Sequence, residues 1–336
     1  MRGLRILSIA VASLLVAVAC QAPRATSSTT APAASAAPDF SGKTLNIVTG
    51  GTGGVYIIYG AGLADVLSKK MKVAASAQST PASVDNMKLI RDGKADLAFT
   101  LADTAYDAVK GLNRFAPPEA KVDAKTIAVM YSNYDHLVAK AGSGINTVPD
   151  LKGKRVSIGA AGSGTETKAI RVLEAYGLNA TTDIQPQRLN AQDSADALRD
   201  GKVDAFFFDG GLPTGAISDL ANSTSLKLID QTDAIAKMNT KYGNFYFAGK
   251  IPKGTYKGQD TDIVTAGTAN LLVVPSTFDG AFVKAILQTM FDSQADLALI
   301  HPEAKNLHLE TAVTGSPIDF HPAAIEFYKA KGVWKP

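Results

Sequence analysis

The chain carries one message twice, and that repetition limits its possible folds more than any other feature. Residues 43–54, KTLNIVTGGTGG, read as an apolar strand running into a glycine-rich turn, and residues 154–164, KRVSIGAAGSG, read the same way. A helical pattern follows each. Tyr56, Tyr59, Leu63 and Val66/Leu67 recur at helix spacing after the first turn; Ala169, Val172, Leu173 and Tyr176 do so after the second. Farther on, KLIRDGKADLAFT at 88–100 is echoed by DALRDGKVDAFFF at 196–208. In both, a helix ends at Asp-Gly, where Gly93 and Gly201 suit a left-handed cap, and a short apolar strand begins. Gly53 precedes Asp96 by 43 residues and Gly164 precedes Asp204 by 40, so spacing matches as well as wording.

Two units of strand, glycine loop, helix and strand imply an α/β fold in two lobes. The first lobe is expected over 43–135 and 265–336, the second over 136–264. The segment 134–142, YDHLVAKAG, reads as a strand leaving the first lobe, and 265–275, TAGTANLLVVP, as a strand returning to it; together they make a two-strand hinge. The remainder, 276–336, is helical in pattern, with Phe278, Phe282, Ile286 and Met290 repeating at four. Ligands of open α/β sheets bind outside the carboxyl ends of the strands. Two such ends facing each other form a cleft that a hinge can close.

The front of the chain reads as an address. Arg2 and Arg5 precede an apolar stretch from Ile6 to Val18, and the stretch closes with LLVAVAC. Residues 1–19 are expected to be a lipoprotein signal peptide and Cys20 the lipidated residue, although Ala17 stands where leucine is commoner. Residues 20–42 are a tether of small residues, Ser, Thr and Pro that cannot bury enough apolar surface to order themselves. The protein is thus expected in the periplasm or on the outer face of the cell membrane, lipid-anchored and monomeric. A single cysteine permits no internal disulfide. The formal charge of +3 falls to +1 once Arg2 and Arg5 leave with the signal, and basic residues are scattered, which argues against nucleic acid.

Chemistry concentrates in the glycine loops, 50–54 and 159–166. Glycines let the backbone approach a ligand and present several N–H donors in one concavity. The helix that follows aims its positive end at the same spot, so a carboxylate or phosphate is favoured there. Neither loop is a nucleotide motif: the first has no lysine after its glycines, and the second does not follow the G-x-G-x-x-G order. The first-lobe candidates for ligand binding are Thr49, Gly50, Thr52, Gly53 and Tyr56, then Thr80 and Ser83 beside Gln78 at the next strand–helix junction. In the second lobe they are Ser163, Gly164, Thr165 and Glu166, with Asp209 and Gly210 at the end of FFFDGG. Structural alternatives accompany several of these. Ser163 and Glu166 make a capping box, Ser83 suits an N-cap, Tyr56 and Tyr131 suit the core, and Asn86 reads as solvated. Glu166 would accept from an ammonium group if it faced the cleft.

The four histidines, His136, His301, His308 and His321, show no metal-ligand spacing, and His301 and His321 precede prolines as turn residues do. No G-x-S-x-G and no nucleophile–base pair is visible, so neither an enzyme nor a cofactor or metal is expected. Arg91, Arg114, Arg171, Arg188 and Arg199 offer no evident single clamp for an anion, and Arg91 and Arg199 occupy equivalent places in the echo.

TGGTGGVY at 49–56 resembles the opening signature of the TAXI-type solute receptors, the extracytoplasmic proteins associated with TRAP transporters. The likeness continues through 78–99, 127–140, 148–166 and 196–217, and IDFHPAAIEFYKAKGVW at 318–334 is similar to the family's last block. One departure is plain. Where the family carries His-Pro-Gly-Ala, this chain has His321, Pro322, Ala323 and Ala324. The resemblance implies a two-lobed periplasmic-binding-protein fold of type II-like form. It also implies partnership with the membrane subunits of a TRAP transporter, driven by an ion gradient without ATP. The solutes it implies are small carboxylates: amino acids such as glutamate or dicarboxylates such as 2-oxoglutarate. A binding protein presenting its solute to a membrane sensor kinase, or a secreted enzyme on a two-lobed scaffold, are the competing expectations.

Overall fold

The computed structural model describes residues 38–335. The expected signal peptide, Cys20 and the tether up to residue 37 lie outside the described residues. Three strands and two shared ones build the first lobe's sheet: β1 (Thr44–Val48), β2 (Ala74–Gln78), β3 (Leu97–Leu101), with β4 (Ala124–Lys140) and, much later in the chain, β10 (Ile263–Pro275) shared. Their order is β2-β1-β3-β10-β4, with β1, β2 and β3 parallel and β10 antiparallel to β3. The second lobe repeats the plan with β5 (Arg155–Ser157), β6 (Gln185–Gln187), β7 (Ala205–Gly210) and β8 (Leu226–Leu228). There the order is β6-β5-β7-β4, β5 running parallel to β6 and β7, β4 antiparallel to β7, and β8 on the far side of β4. Strand β9 (Phe247–Ile251) pairs with the start of β10.

The hydrophobic pattern explains the helices. α1 (Val55–Met71) buries Tyr56, Tyr59, Leu63, Val66 and Leu67, the set its 3.6-residue period predicts. α4 (Gly164–Ala175), its counterpart after β5, buries Ala169, Val172 and Leu173; Tyr176 falls just beyond its end. α2 (Ser83–Arg91) leads into β3, and α5 (Ala191–Arg199) leads into β7. Both end as the echo requires. Gly93 has φ 67° and Gly201 φ 71°, and the N–H groups of Lys94 and Lys202 reach back to Leu89 and Ala197 carbonyls at 2.9 and 2.8 Å. The remaining helices are α3 (Ala102–Lys110), α6 (Gly215–Ser223), α7 (Thr232–Tyr242), α8 (Gly280–Asp292), α9 (Gln294–Ile300) and α10 (Pro322–Ala330).

The repeated aspartate after Asp-Gly-Lys has a structural meaning that its spelling does not reveal. Asp96 Oδ2 accepts from the Asn46 N–H at 2.7 Å, while the Asp96 N–H donates to Asn46 O at 3.0 Å. In the second lobe Asp204 Oδ2 accepts from the Arg155 N–H at 2.8 Å, and the Asp204 N–H donates to Arg155 O at 2.8 Å. Each aspartate fastens the first parallel strand of its lobe to the third. Charge-assisted bonds of this kind are each worth about 1.5–3 kcal/mol.

β4 and β10 belong to both halves. Residues 124–133 of β4 pair with residues 268–275 of β10 in the first lobe; residues 134–139 of β4 pair with β7, and residues 263–267 of β10 pair with β9. The cores divide at the same place. One cluster joins residues 40–131 to 271–328, and two others lie within 137–266. This is the two-lobed α/β fold with a two-strand hinge. The altered run at 321–324 sits at the start of α10: His321 caps the helix, its Nδ1 accepting from the Ala323 N–H at 3.2 Å.

Candidate functional site

The carboxyl ends of β1, β2 and β3 face those of β5, β6 and β7, and between them lies a small cavity. The starts of five helices converge on it. They are Val55 and Tyr56 of α1, Ser83 of α2, the cap Leu101 of α3, Gly164 and Thr165 of α4, and Ala191 of α5. The first N–H groups of a helix have no partner within it, and its aligned peptide dipoles leave the amino end positive. The cavity is therefore favourable for negative charge without a cationic side chain. It gives about 40 Å3 to the centre of a water molecule, where one water needs about 10–15 Å3. A molecule of a few heavy atoms fits.

Glycine permits this closure. A Cβ on Gly51 would stand 2.9 Å from Asn190 Cβ; on Gly164 it would stand 2.5 Å from Leu101 Cδ1 and 2.8 Å from Ser83 Oγ. Backbone bonds link the lobes directly: the Asp85 N–H donates to Gly162 O at 3.1 Å and the Ala216 N–H to Gly53 O at 3.2 Å. The glycine loops thus serve close approach of the two halves as well as exposure of amides.

Of the residues singled out by sequence, Gly50, Tyr56 and Ser83 line the cavity from the first lobe. Ser163, Gly164, Thr165, Asp209 and Gly210 line it from the second. Ser83 does not cap α2, as its spacing suggested. The cap position is Ala82, and Ser83 Oγ instead accepts from the Leu101 N–H at 3.2 Å. Ser163 does cap α4, accepting from the Glu166 N–H at 2.9 Å, and Thr165 Oγ1 accepts from the Asp209 N–H at 3.2 Å. Tyr56 is buried with a hydroxyl that has no partner among the described residues, and burial raises its pKa so that it keeps its proton.

The others stand elsewhere. Thr49 is buried and donates to Gln78 O at 2.7 Å. Thr52 is exposed, and Gly53 lies against Gln192 and Ala216 of the second lobe. Thr80 and Asn86 form a buried brace. Thr80 Oγ1 donates to Asn86 Oδ1 at 2.6 Å, and Asn86 Nδ2 donates to Thr49 O at 2.6 Å and Phe99 O at 2.8 Å. Asn86 is fully buried, contrary to the solvated reading, because its face of α2 meets the ends of β1 and β3. Glu166 does not line the cavity. Its carboxylate accepts from Arg188 Nε at 2.7 Å, from the Gly162 N–H at 3.1 Å, and pairs with Arg114 at 3.1 Å. An ammonium group would have to displace two arginines to reach it.

Tyr131 packs on Tyr59, ring centroids 6.0 Å apart, as a core residue. His136 is buried between Phe208 O (3.1 Å) and the Tyr256 hydroxyl (2.8 Å), and burial pushes its pKa down to about 4. His301 and His321 cap short helices. Arg91 and Arg199 pair with the adjacent Asp92 and Asp200, so both fall to structural roles in the repeat. Sequence reasoning missed Leu101, Leu189, Asn190 and Phe208, all of which line the cavity. Their signal was available: each ends a parallel strand or starts the segment after one, where the topology puts ligands.

Four carboxyls, one of them that of the lining residue Asp209, are buried with two cations. Arg171 crosses from the second lobe to Asp103 (3.1 Å) and Asp107 of the first, and the Tyr246 hydroxyl joins Asp103 at 2.8 Å. Lys168 pairs with Asp209. Asp135 faces Asp209 in the β4–β7 register, and neither of its oxygens has a hydrogen-bond partner among the described residues. Burial raises the Asp135 pKa well above the usual carboxylate range, with the neighbouring Asp209 adding to it. Burial likewise pushes Asp209 up to about 6 against the pull of Lys168.

A family model described as the NMT1-like family matches residues 47–332. Among solved structures, the alkanesulfonate-binding protein SsuA from Xanthomonas axonopodis pv. citri, bound to MOPS, is 16% identical. That match covers 88% of this chain and 81% of that one, with a TM-score of 0.50. A protein from Bordetella bronchiseptica RB50 is 16% identical over 87% of this chain and 90% of its own, also at 0.50. These likenesses concern the fold.

Proposed function

The chain belongs to the NMT1-like family, and we propose that it is an extracytoplasmic solute receptor. In this reading it captures a small carboxylate between its lobes, 43–135 with 265–336 on one side and 136–264 on the other. It then delivers the solute unchanged to the membrane subunits of a TRAP-type transporter, held near them by a lipid on Cys20. Glutamate and 2-oxoglutarate are the solutes with which testing begins. One observation carries the reading: five helix starts from both lobes meet on one small cavity with no cationic side chain in its wall among the described residues. The solute binds the amides of one lobe, the hinge in β4 and β10 closes, and the other lobe completes the hydrogen bonds. Closure excludes water, so each charge-assisted bond counts for about 1.5–3 kcal/mol net. A few of them reach about −8 kcal/mol, or micromolar affinity.

A thermal-shift and calorimetry series tests this. Small carboxylates are expected to raise the unfolding midpoint, and neutral sugars are not. Thr165→Ala should weaken binding about tenfold, because Thr165 lines the cavity, while Thr52→Ala should change it less than twofold, because Thr52 is exposed. Stabilisation by sugars with none from any carboxylate would sink the proposal.

A further inference from the structure

Asp209 belongs to the cavity and to the buried charge cluster at once. It lines the cavity, and its fully buried carboxyl pairs with Lys168 of α4. Asp135 stands opposite it in the β4–β7 register, and neither Asp135 oxygen has a hydrogen-bond partner among the described residues. Residues directly opposite in an antiparallel pair share one face, with Cβ atoms about 4.5–5.5 Å apart. The two carboxyls are therefore neighbours in a water-poor interior, and Lys168 serves both.

The surrounding elements offer little else to hold a second negative charge. Lys168 is itself shared, its Nζ also donating to Ala266 O of β10 at 3.3 Å. On α3, Asp103 and Asp107 occupy Arg171, and the Tyr246 hydroxyl donates to Asp103 at 2.8 Å. Gln231, before α7, gives its Nε2 to the Asp135 backbone carbonyl at 2.8 Å, not to the carboxyl. On α1, Tyr56 is buried and keeps its proton. His136, next on β4, is turned to Phe208 O and the Tyr256 hydroxyl, and burial keeps it neutral. With Asp103, Asp107, Asp135 and Asp209 all ionised, four negative charges face two positive ones, an excess of two (4 − 2).

A carboxylate held in the cavity adds one more negative charge beside Asp209. The helix starts favour the solute but do nothing for the acids behind it. Like charges this close in a low dielectric do not all stay ionised, and the carboxyl without a partner is the one that takes a proton most readily. We propose that Asp135 and Asp209 form a proton-binding site coupled to the solute site, so that the protein takes up a proton from solvent as it captures an anion. This rests on reading the cavity as a solute site and deepens that reading.

The sign follows from the cluster. Burial already raises both acids, Asp209 to about 6, so near neutral pH the pair of the empty chain is partly ionised. A solute anion raises the pair further. Affinity therefore increases as pH falls from about 7.5 to about 5.5, a range in which ordinary carboxylic acids stay ionised themselves.

Calorimetry on the full chain tests this, with glutamate and 2-oxoglutarate as probes at both ends of that range, each in two buffers of different ionisation enthalpy. Binding is expected to be at least fivefold tighter at the lower pH. The heats at the upper pH are expected to differ between buffers as uptake of up to about one proton per solute requires. In Asp135→Asn, Asp209 has Lys168 to itself and stays ionised, so the pH effect should shrink below twofold and the uptake should vanish. If a probe binds the parent chain without proton uptake, this inference falls while solute capture stands. Uptake that persists undiminished in Asp135→Asn places the proton elsewhere and also overturns it. If no small carboxylate binds at either pH, both readings fall. Should the variant fail to fold, infrared difference spectra of the parent chain decide: a protonated-carboxyl C=O band that grows on binding supports the pair, and no growth overturns it.

Discussion

The two glycine loops look alike in sequence and are built to different specifications. The second-lobe loop is tied down. Gly159 and Gly162 sit at φ 94° and 80°, Ser163 caps α4, and the Glu166 carboxylate binds the Gly162 N–H together with two arginines. The first-lobe loop has no side-chain cap on α1 and no acid in the helix's first turn. Its glycines meet the other lobe, Gly51 beside Asn190 and Gly53 beside Ala216, just as Gly162 and Gly164 of the second loop meet Asp85 and Leu101. Both loops meet the opposite lobe, and only the second is also braced by a side-chain cap and an acid of its own helix. A repeat can keep its fold in both copies while differing in how each loop is held.

Three substitutions break or sharpen that contrast. The largest effect is expected at Gly164. Gly164→Val places atoms where Leu101 and Ser83 of the opposing lobe already stand, so closure fails, and carboxylate affinity should drop at least 100-fold, about 2.7 kcal/mol. Calorimetry reads this directly; a drop below fivefold would mean that the lobes need not meet there.

Glu166→Gln should act on the wall and not on the solute. It leaves Arg188 and Arg114 without their shared carboxylate, and both are about half exposed, so the cost in stability is only about 1 kcal/mol. Affinity should change less than threefold, since Glu166 is outside the cavity lining. A large loss of affinity with unchanged urea stability would reverse the assignment.

Asp135→Asn concerns the buried carboxyl paired in register with the lining residue Asp209. Asp135 and Asp209 share one lysine, and their folded-state pKa values lie above the unfolded value of 3.8, Asp209 at about 6. The folded chain therefore holds protons that the unfolded chain has released, and this pair makes stability fall as pH rises from about 4 through 6. The neutral isostere removes the uncompensated charge. It should raise stability at pH 7 by about 1 kcal/mol and show a smaller gain near pH 4, when urea midpoints are compared at the two pH values. A less stable variant at pH 7 would mean that the carboxylate has a partner worth keeping.

The echo of Asp-Gly-Lys and a following Asp made the doubled plan legible. The apolar periods located α1 and α4, and the two long apolar strands located the hinge. Those signals are local or repeat at fixed spacing. Side-chain direction at the strand ends was not legible. Asn86 reads as a polar residue one turn into a helix, and only the meeting of β1, β3 and α2 reveals that three groups claim its amide. Thr52 and Thr165 read as equivalent hydroxyls, yet one faces solvent and the other binds the Asp209 N–H across a strand end. The aspartate that closes each echo was visible as a letter, but its bond to the neighbouring strand's backbone needed coordinates.

The position of β10 fixes an order of assembly. It lies between β3 and β4 in the first lobe's sheet, although it is the last strand in the chain. A nascent chain emerging amino end first cannot join β3 to the rest of that sheet until about residue 275 is available, whereas β5 to β8 are contiguous and complete much earlier. The lobe that begins first finishes last. Until then its parallel strands present an unsatisfied edge, and anything that truncates the chain before β10 leaves half the molecule unfinished.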